Sequence, residues 1–262
     1  MDLANNTVLL TGGATGIGLA LAERLIAAGS RVIAVGRRAD KLNEARERLP
    51  GLLTRVTDLA QPAERVALAE WVRSEQPAVN VLLNNAGVQN RTPVAQMAAS
   101  PDAWEKTRDE IAINLEAPIH LTALLLPHLR GKPGAAVINV SSGLAFAPFA
   151  LMPVYCATKA ALHSFTLSLR HEAAALGVEV IELVPPALNT DLGGPGLHSG
   201  APEVGPFADS VLARLAAGEQ EVGYQSAETR RLASRQELDA YFAQMNRPQR
   251  LSASGRCPAP SR

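Results

Sequence analysis

Thr7-Val-Leu-Leu-Thr-Gly-Gly-Ala-Thr-Gly-Ile-Gly18 is the stretch that decides how the rest of the chain is read. Residues 7–11 are β-branched or apolar throughout, which fits a strand buried on both faces. From 16 to 28 the period changes. Ile17, Leu21 and Leu25 recur at helical spacing, and Gly29 ends the run. Glycine at 12, 16 and 18 lets the backbone between strand and helix turn sharply and approach a pyrophosphate, whose charge rests on the helix N-terminus. The spacing departs from the commonest G-x-G-x-x-G fingerprint, and a glycine-rich turn alone also serves as a plain connection. Its position at the first strand-to-helix junction favours the nucleotide reading.

Working outward, the same alternation repeats. Apolar runs at 31–35, 53–56, 79–83, 136–141 and 178–184 read as strands. Helical patterns fill 39–49, 62–74, 101–130 (one long helix or two joined) and 153–176. Each crossover must return the chain in the same direction. The expected fold is therefore α/β, a Rossmann-type doubly wound sheet of seven mainly parallel strands with helices on both faces. After Val184 the rhythm breaks. Residues 186–206, rich in Pro and Gly, read as a mobile substrate loop. A helix over 206–217, a strand near 221–224 and one last helix over 227–245 complete a single domain spanning 1–246. Residues 247–262 are basic and Pro/Ser-rich and read as a disordered tail.

Composition narrows the class. The 262 residues include 47% hydrophobic and 19% charged, with 25 Lys+Arg against 25 Asp+Glu. That is too apolar for a disordered chain and lacks the basic surplus of a nucleic-acid binder. No apolar run approaches the ~18 residues a membrane span needs, and the N-terminus shows no basic-then-apolar leader. Cys156 and Cys257 alone suit a reduced, cytoplasmic protein, and no Cys/His spacing suggests a metal.

Two further places carry chemistry. At the end of the second strand stand Gly36-Arg37-Arg38, where NAD-selective folds put an acid for the ribose 2′-hydroxyl. Two guanidinium groups suit a 2′-phosphate instead, so the residues point to NADP(H) over NAD(H). Tyr155 and Lys159 lie four apart, on one face of a helix, and Ser142 ends a strand 13 residues before Tyr155. A parallel sheet gathers its chemistry at the carboxyl ends of its strands, so these side chains would meet the glycine turn at one crevice.

Together, Thr11-Gly-x-x-x-Gly-x-Gly18, Asn84-Asn-Ala-Gly87, Asn114, Ser142 and Tyr155-x-x-x-Lys159 resemble the single-domain branch of the short-chain dehydrogenase/reductase family. The resemblance implies carbonyl–alcohol interconversion by hydride transfer with a nicotinamide cofactor. It makes Tyr155 the general acid/base, Lys159 its activator and a ribose ligand, Ser142 the carbonyl polariser, and Asn114 the holder of a relay water. It assigns cofactor contacts to Gly12, Thr15, Gly16, Ile17, Gly18, Asp58 and Leu59, to Asn85, Ala86 and Gly87, and to Pro185, Leu188 and Thr190. Where the family usually has Pro-Gly, this chain has Pro185-Pro186, and Pro186 removes a backbone donor. That variant, with Ser234-Arg-Gln-Glu-Leu-Asp239, is similar to a subgroup of oxidoreductases labelled for teichoic-acid D-alanylation, a label of lineage rather than substrate. The family likeness also implies a homodimer or homotetramer.

Physical chemistry sets a demand on such a site. A free tyrosine has pKa about 10, and lowering it by about 3 units needs ~4 kcal/mol, more than one solvated lysine supplies. The uncharged stretch 143–153 suggests an apolar wall for a small, uncharged or amphipathic carbonyl or alcohol substrate. Cys156 reads as a buried small residue, Trp104 and Phe165 as packing residues, and His198, in the loop, as a candidate substrate contact. Two other functions share these motifs: a redox sensor that binds NADP(H) without turnover, and a sugar-nucleotide epimerase or dehydratase. The retained Ser142, Tyr155 and Lys159 disfavour the first. The glycine spacing and the small C-terminal part disfavour the second.

Overall fold

The computed structural model describes residues 1–247. The expected tail, apart from Arg247, lies outside the described residues, as does Cys257. Seven strands form one sheet: β1 (Thr7–Thr11), β2 (Arg31–Gly36), β3 (Leu53–Val56), β4 (Val81–Asn84), β5 (Ala136–Val140), β6 (Glu179–Val184) and β7 (Glu221–Gly223). Their order is β3-β2-β1-β4-β5-β6-β7, and every neighbouring pair is parallel. The order reverses between β1 and β4, so a crevice opens at the carboxyl ends of those strands, where such folds bind nucleotides.

Helices α1 (Gly16–Ala27), α2 (Ala39–Arg48), α3 (Pro62–Glu75), α4 (Pro101–Ile111), α5 (Ala117–Leu129), α6 (Pro153–Ala174) and α7 (Val204–Ala216) cover the faces, with α8 (Ser226–Arg231) and α9 (Arg235–Met245) after β7. Two apolar cores result, one on each face. Val8 and Leu10 look into one with Leu21, Leu25 and Phe207; Leu9 looks into the other with Leu68, Leu121 and Leu169. This is the period-2 alternation of a strand, with both sides dry.

Three sequence expectations are corrected, and one left open, the 101–130 segment, is resolved as two joined helices. Strand β3 is not buried: Leu53 and Val56 are exposed, because β3 is the sheet edge and has a neighbour on one side only. The 101–130 segment is two helices joined by a π-helical turn, Ala112–Glu116. The last helix is two, because Ser234 and Glu237 form a reciprocal capping box that starts α9 afresh. Trp104 does not pack inside; it is 51% exposed on α4, whereas Phe165 does lean on the core.

Candidate active site

The glycine turn is held from both sides. Gly12 has φ +67°, and a Cβ there would lie 2.8 Å from Ala86 Cα; at Gly18 it would lie 2.2 Å from the Gly12 carbonyl oxygen. Neither position admits a side chain without moving the backbone. The Thr11 hydroxyl accepts the Asn85 and Ala86 amides at 3.0 Å each, and the Asn85 side chain donates to the carbonyls of Thr11 and Gly12 at 3.1 Å. Asn85 thus braces β1 against β4 and fixes the turn. No side chain caps the start of α1 at Thr15, and no acid lies in its first turn. The helix therefore presents free N–H groups and a positive dipole end toward the crevice.

Arg37 and Arg38 are both exposed beyond β2, and Arg38 Nη2 donates to the Thr15 hydroxyl at 3.2 Å. This contact ties Arg38 to the glycine turn. Asp58 and Leu59 follow β3. The Asp58 carboxylate accepts the Ala60 amide at 3.0 Å, and its own amide donates to Glu64 at 2.6 Å.

The other half of the site stands on β5 and α6. Ser142 starts a short turn after β5, and its oxygen accepts the Leu144 amide at 3.1 Å, which leaves the hydroxyl proton free to donate. Tyr155, 5% exposed, faces Ser142 from the first turns of α6. One turn on, Lys159 is 4% exposed; its Nζ donates to the Val140 carbonyl at 2.8 Å and lies 5.8 Å from the Tyr155 ring centroid. Asn114 sits in the π-helical turn, a distortion often found at functional sites. Its side chain closes a two-way bridge to Val88, accepting from the amide at 2.9 Å and donating to the carbonyl at 2.8 Å.

Two spaces adjoin these groups. A cavity of about 540 Å³ is walled by Ser142, Tyr155 and Ile17, with Pro185, Leu188 and Thr190 from the segment after β6. A space of about 10 Å³ touches Asn114, Lys159, Ala86, Leu59 and Thr11. That segment is pinned at its start by the Pro185 carbonyl, which accepts the Gly143 amide at 3.0 Å; Asn189 donates to Pro202 and Glu203, each at 2.8 Å.

A model of the short chain dehydrogenase family matches residues 6–196. The chain belongs to that family. It is 44% identical over 251 residues to an uncharacterized oxidoreductase, DltE, of Bacillus subtilis (strain 168), covering 94% of this chain and 98% of that one. The subgroup likeness read from Pro185-Pro186 and the C-terminal stretch therefore holds. Among solved structures it is similar to a short chain dehydrogenase from Burkholderia cenocepacia in complex with NADP, with TM-score 0.78, 28% identity, and 92% and 99% of the two chains covered. It is also similar to one from Sphingobium yanoikuyae in complex with NADPH, with TM-score 0.75, 26% identity, and 96% and 100% covered. This dehydrogenase is an oxidoreductase of a family that takes a nicotinamide cofactor.

The electrostatics of the dehydrogenase agree with the expectation that one lysine does not suffice to prepare the tyrosine. Burial pushes the Tyr155 phenol above its ordinary value; the Ser142 hydroxyl opposes the rise, and Cys156 and Glu110 add to it. The Lys159 ammonium spends a hydrogen bond on the Val140 carbonyl and stands 5.8 Å from the centre of the phenol ring. Burial also lowers Lys159 to about 8, against an ordinary 10.5, with Glu182 opposing. Between those two values the unfolded chain holds this proton more often than the folded one. Lys159 therefore costs stability fully below pH 8, and the cost fades as pH rises toward 10.5. Lys159→Met is expected to stabilise the fold at pH 7 by about 2 kcal/mol, after the lost hydrogen bond to Val140 is counted. Thermal unfolding at pH 7 and pH 10 checks this: the gain should shrink at the higher pH, and a lower Tm at pH 7 would remove the account.

Sequence reasoning missed four groups of the larger cavity. Gln89 is 7% exposed, and its Oε1 has no hydrogen-bond partner among the described residues. Arg91, Gln225 and Arg230 line the same wall. No local pattern in the sequence marks these four, because they come from segments far apart in the chain. His198 does reach the cavity. Cys156 is buried, and burial raises its thiol, as an inert cysteine requires. Elsewhere His163, Glu182 and Glu221 place ligand atoms within 4.8 Å of one another. Phe146 packs on the His163 ring, and Arg231 and Arg170 stand at 3.5 and 4.0 Å from Glu221, so we read the trio as a structural charge cluster.

Proposed function

We propose that this dehydrogenase uses NADP(H) to interconvert a small carbonyl compound and its alcohol. The observation that carries the proposal is the meeting of Ser142, Tyr155, Ile17 and Thr190 around one cavity. The residues present fit the cofactor: the uncapped α1 terminus suits a pyrophosphate, and Arg37 and Arg38 suit a 2′-phosphate. Gly12, Thr15, Gly16, Ile17 and Gly18 would hold the pyrophosphate half, with Asp58, Leu59, Ala86 and Gly87 at the adenosine and Lys159, Pro185, Leu188 and Thr190 at the nicotinamide half. When bound, the cofactor supplies or accepts the hydride.

In reduction, Tyr155 donates its phenolic proton to the substrate oxygen. Ser142, whose oxygen is occupied by the Leu144 amide, donates its own proton as a hydrogen bond to the same oxygen as charge develops there. Lys159 is still mainly an ammonium at pH 7, and its charge favours the phenolate left behind. The space of about 10 Å³ beside Asn114 and Lys159 is the size of one water, which suits a route for the returning proton. Leu144, Phe149 and Met152 supply the apolar wall, so the substrate has an apolar part.

The same proposal includes the loop 186–206 as the substrate loop, a homodimer or homotetramer, a cytoplasmic setting, and no nucleic-acid or membrane partner. Among the described residues no helix is long and apolar enough to cross a membrane. The test is a panel of ketones and aldehydes, with NADPH consumption followed by absorbance. Turnover of at least one small carbonyl is expected, and a chain that binds NADPH but oxidises it with none of them would remove the enzymatic reading.

A further inference from the structure

We infer that the substrate carries a carboxylate and that Arg230 binds it; this rests on the hydride-transfer reading above. Three arginines stand on or against α8. Arg214 pairs with Glu219 and Glu228, and Arg231 with Glu228 and Glu221. Arg230 has no carboxylate within 4 Å among the described residues, yet it lines the large cavity. Its ionisable neighbour is the Tyr241 phenol, and burial lowers its pKa. A half-buried guanidinium without an anion is costly to keep, whereas a carboxylate meets its planar fork with two parallel hydrogen bonds.

Three independent features agree. The cavity wall carries Arg91, His198 and Arg230 and no Asp or Glu. Arg230 is near the chemistry: a Cβ at Gly143, the residue after Ser142, would lie 3.5 Å from its Nη1. The turn that delivers α8 is strained, since Gln225 has φ +47° and ψ −121°, a conformation ordinary side chains avoid. Such strain persists where surrounding structure demands a particular placement. Arg230, half-buried beside Gly143 and the apolar wall, offers one planar fork, which matches one carboxylate.

The experiment compares short oxo acids with their methyl esters as substrates, using NADPH, in wild type, Arg230→Met and Arg230→Lys. In wild type the acid should exceed its ester in kcat/KM by about 10- to 150-fold, the worth of hydrogen bonds to a charged group. Arg230→Met should bring the acid-to-ester ratio to about one, and Arg230→Lys should restore part of it. A wild-type ratio near one, or a ratio unchanged in Arg230→Met, overturns the inference. Calorimetric titration of the NADP⁺-loaded protein with butyrate and butyramide separates this failure from that of the enzymatic reading. Butyrate binding lost in Arg230→Met supports the carboxylate site even without turnover. Wild type that binds both probes alike, or neither, overturns it.

Discussion

Tyr155→Phe should lower carbonyl turnover by about 10³-fold or more while NADPH still binds within about twofold. The substitution removes one oxygen and keeps the ring, and the ring is what packs with Met152 and Cys156. The fold should therefore survive, and the loss should fall on kcat. The size follows from general acid catalysis, worth about 10²–10⁴-fold, at a position where no other side chain can replace the proton donor. Ser142 cannot: its hydroxyl is the hydrogen-bond donor to the same oxygen and is far less acidic. Steady-state rates together with a cofactor titration check the result. A variant that keeps more than a tenth of wild-type turnover would remove Tyr155 from the proton step. Wild type that binds NADPH without turning over any carbonyl would favour the redox-sensor alternative. Release of oxidised cofactor in step with product would exclude an epimerase, which regenerates its cofactor in place.

The second large effect is expected at the cofactor. Replacing both Arg37 and Arg38 by alanine should weaken NADPH binding by about 30- to 100-fold and leave NADH within about threefold. A charge-assisted hydrogen bond is worth about 1.5–3 kcal/mol; two exposed ones, each discounted by solvent to about 1–1.4 kcal/mol, together give a loss of that size. Arg38 is already tethered to the Thr15 hydroxyl, so it starts in place beside the glycine turn. Fluorescence titration of the two cofactors measures the ratio directly. Equal affinity of the wild type for NADPH and NADH would show that neither arginine reads the 2′-phosphate.

Much of this site was legible before folding. Gly12, Gly16 and Gly18 declared a tight turn because few other residues fit such backbone, and Tyr155 and Lys159 declared one helix face by their spacing. Other residues gave no such sign. Asn85, placed by resemblance in a segment that lines the adenosine ribose and supports the sheet, donates its side chain to the carbonyls of Thr11 and Gly12, partners the sequence did not name. Nothing near Leu53 or Val56 in sequence said that their strand would lie at the edge. The strand–helix rhythm, the glycine turn and the helix period are properties of a few neighbouring residues, so the chain carried them on its face. Which arginine goes unpaired beside Ser142, how far the Lys159 ammonium stands from the phenol, and how strongly burial shifts both groups depend on segments far apart in the chain. Only packing brings those segments together, and only then do charge, distance and exclusion of water acquire values.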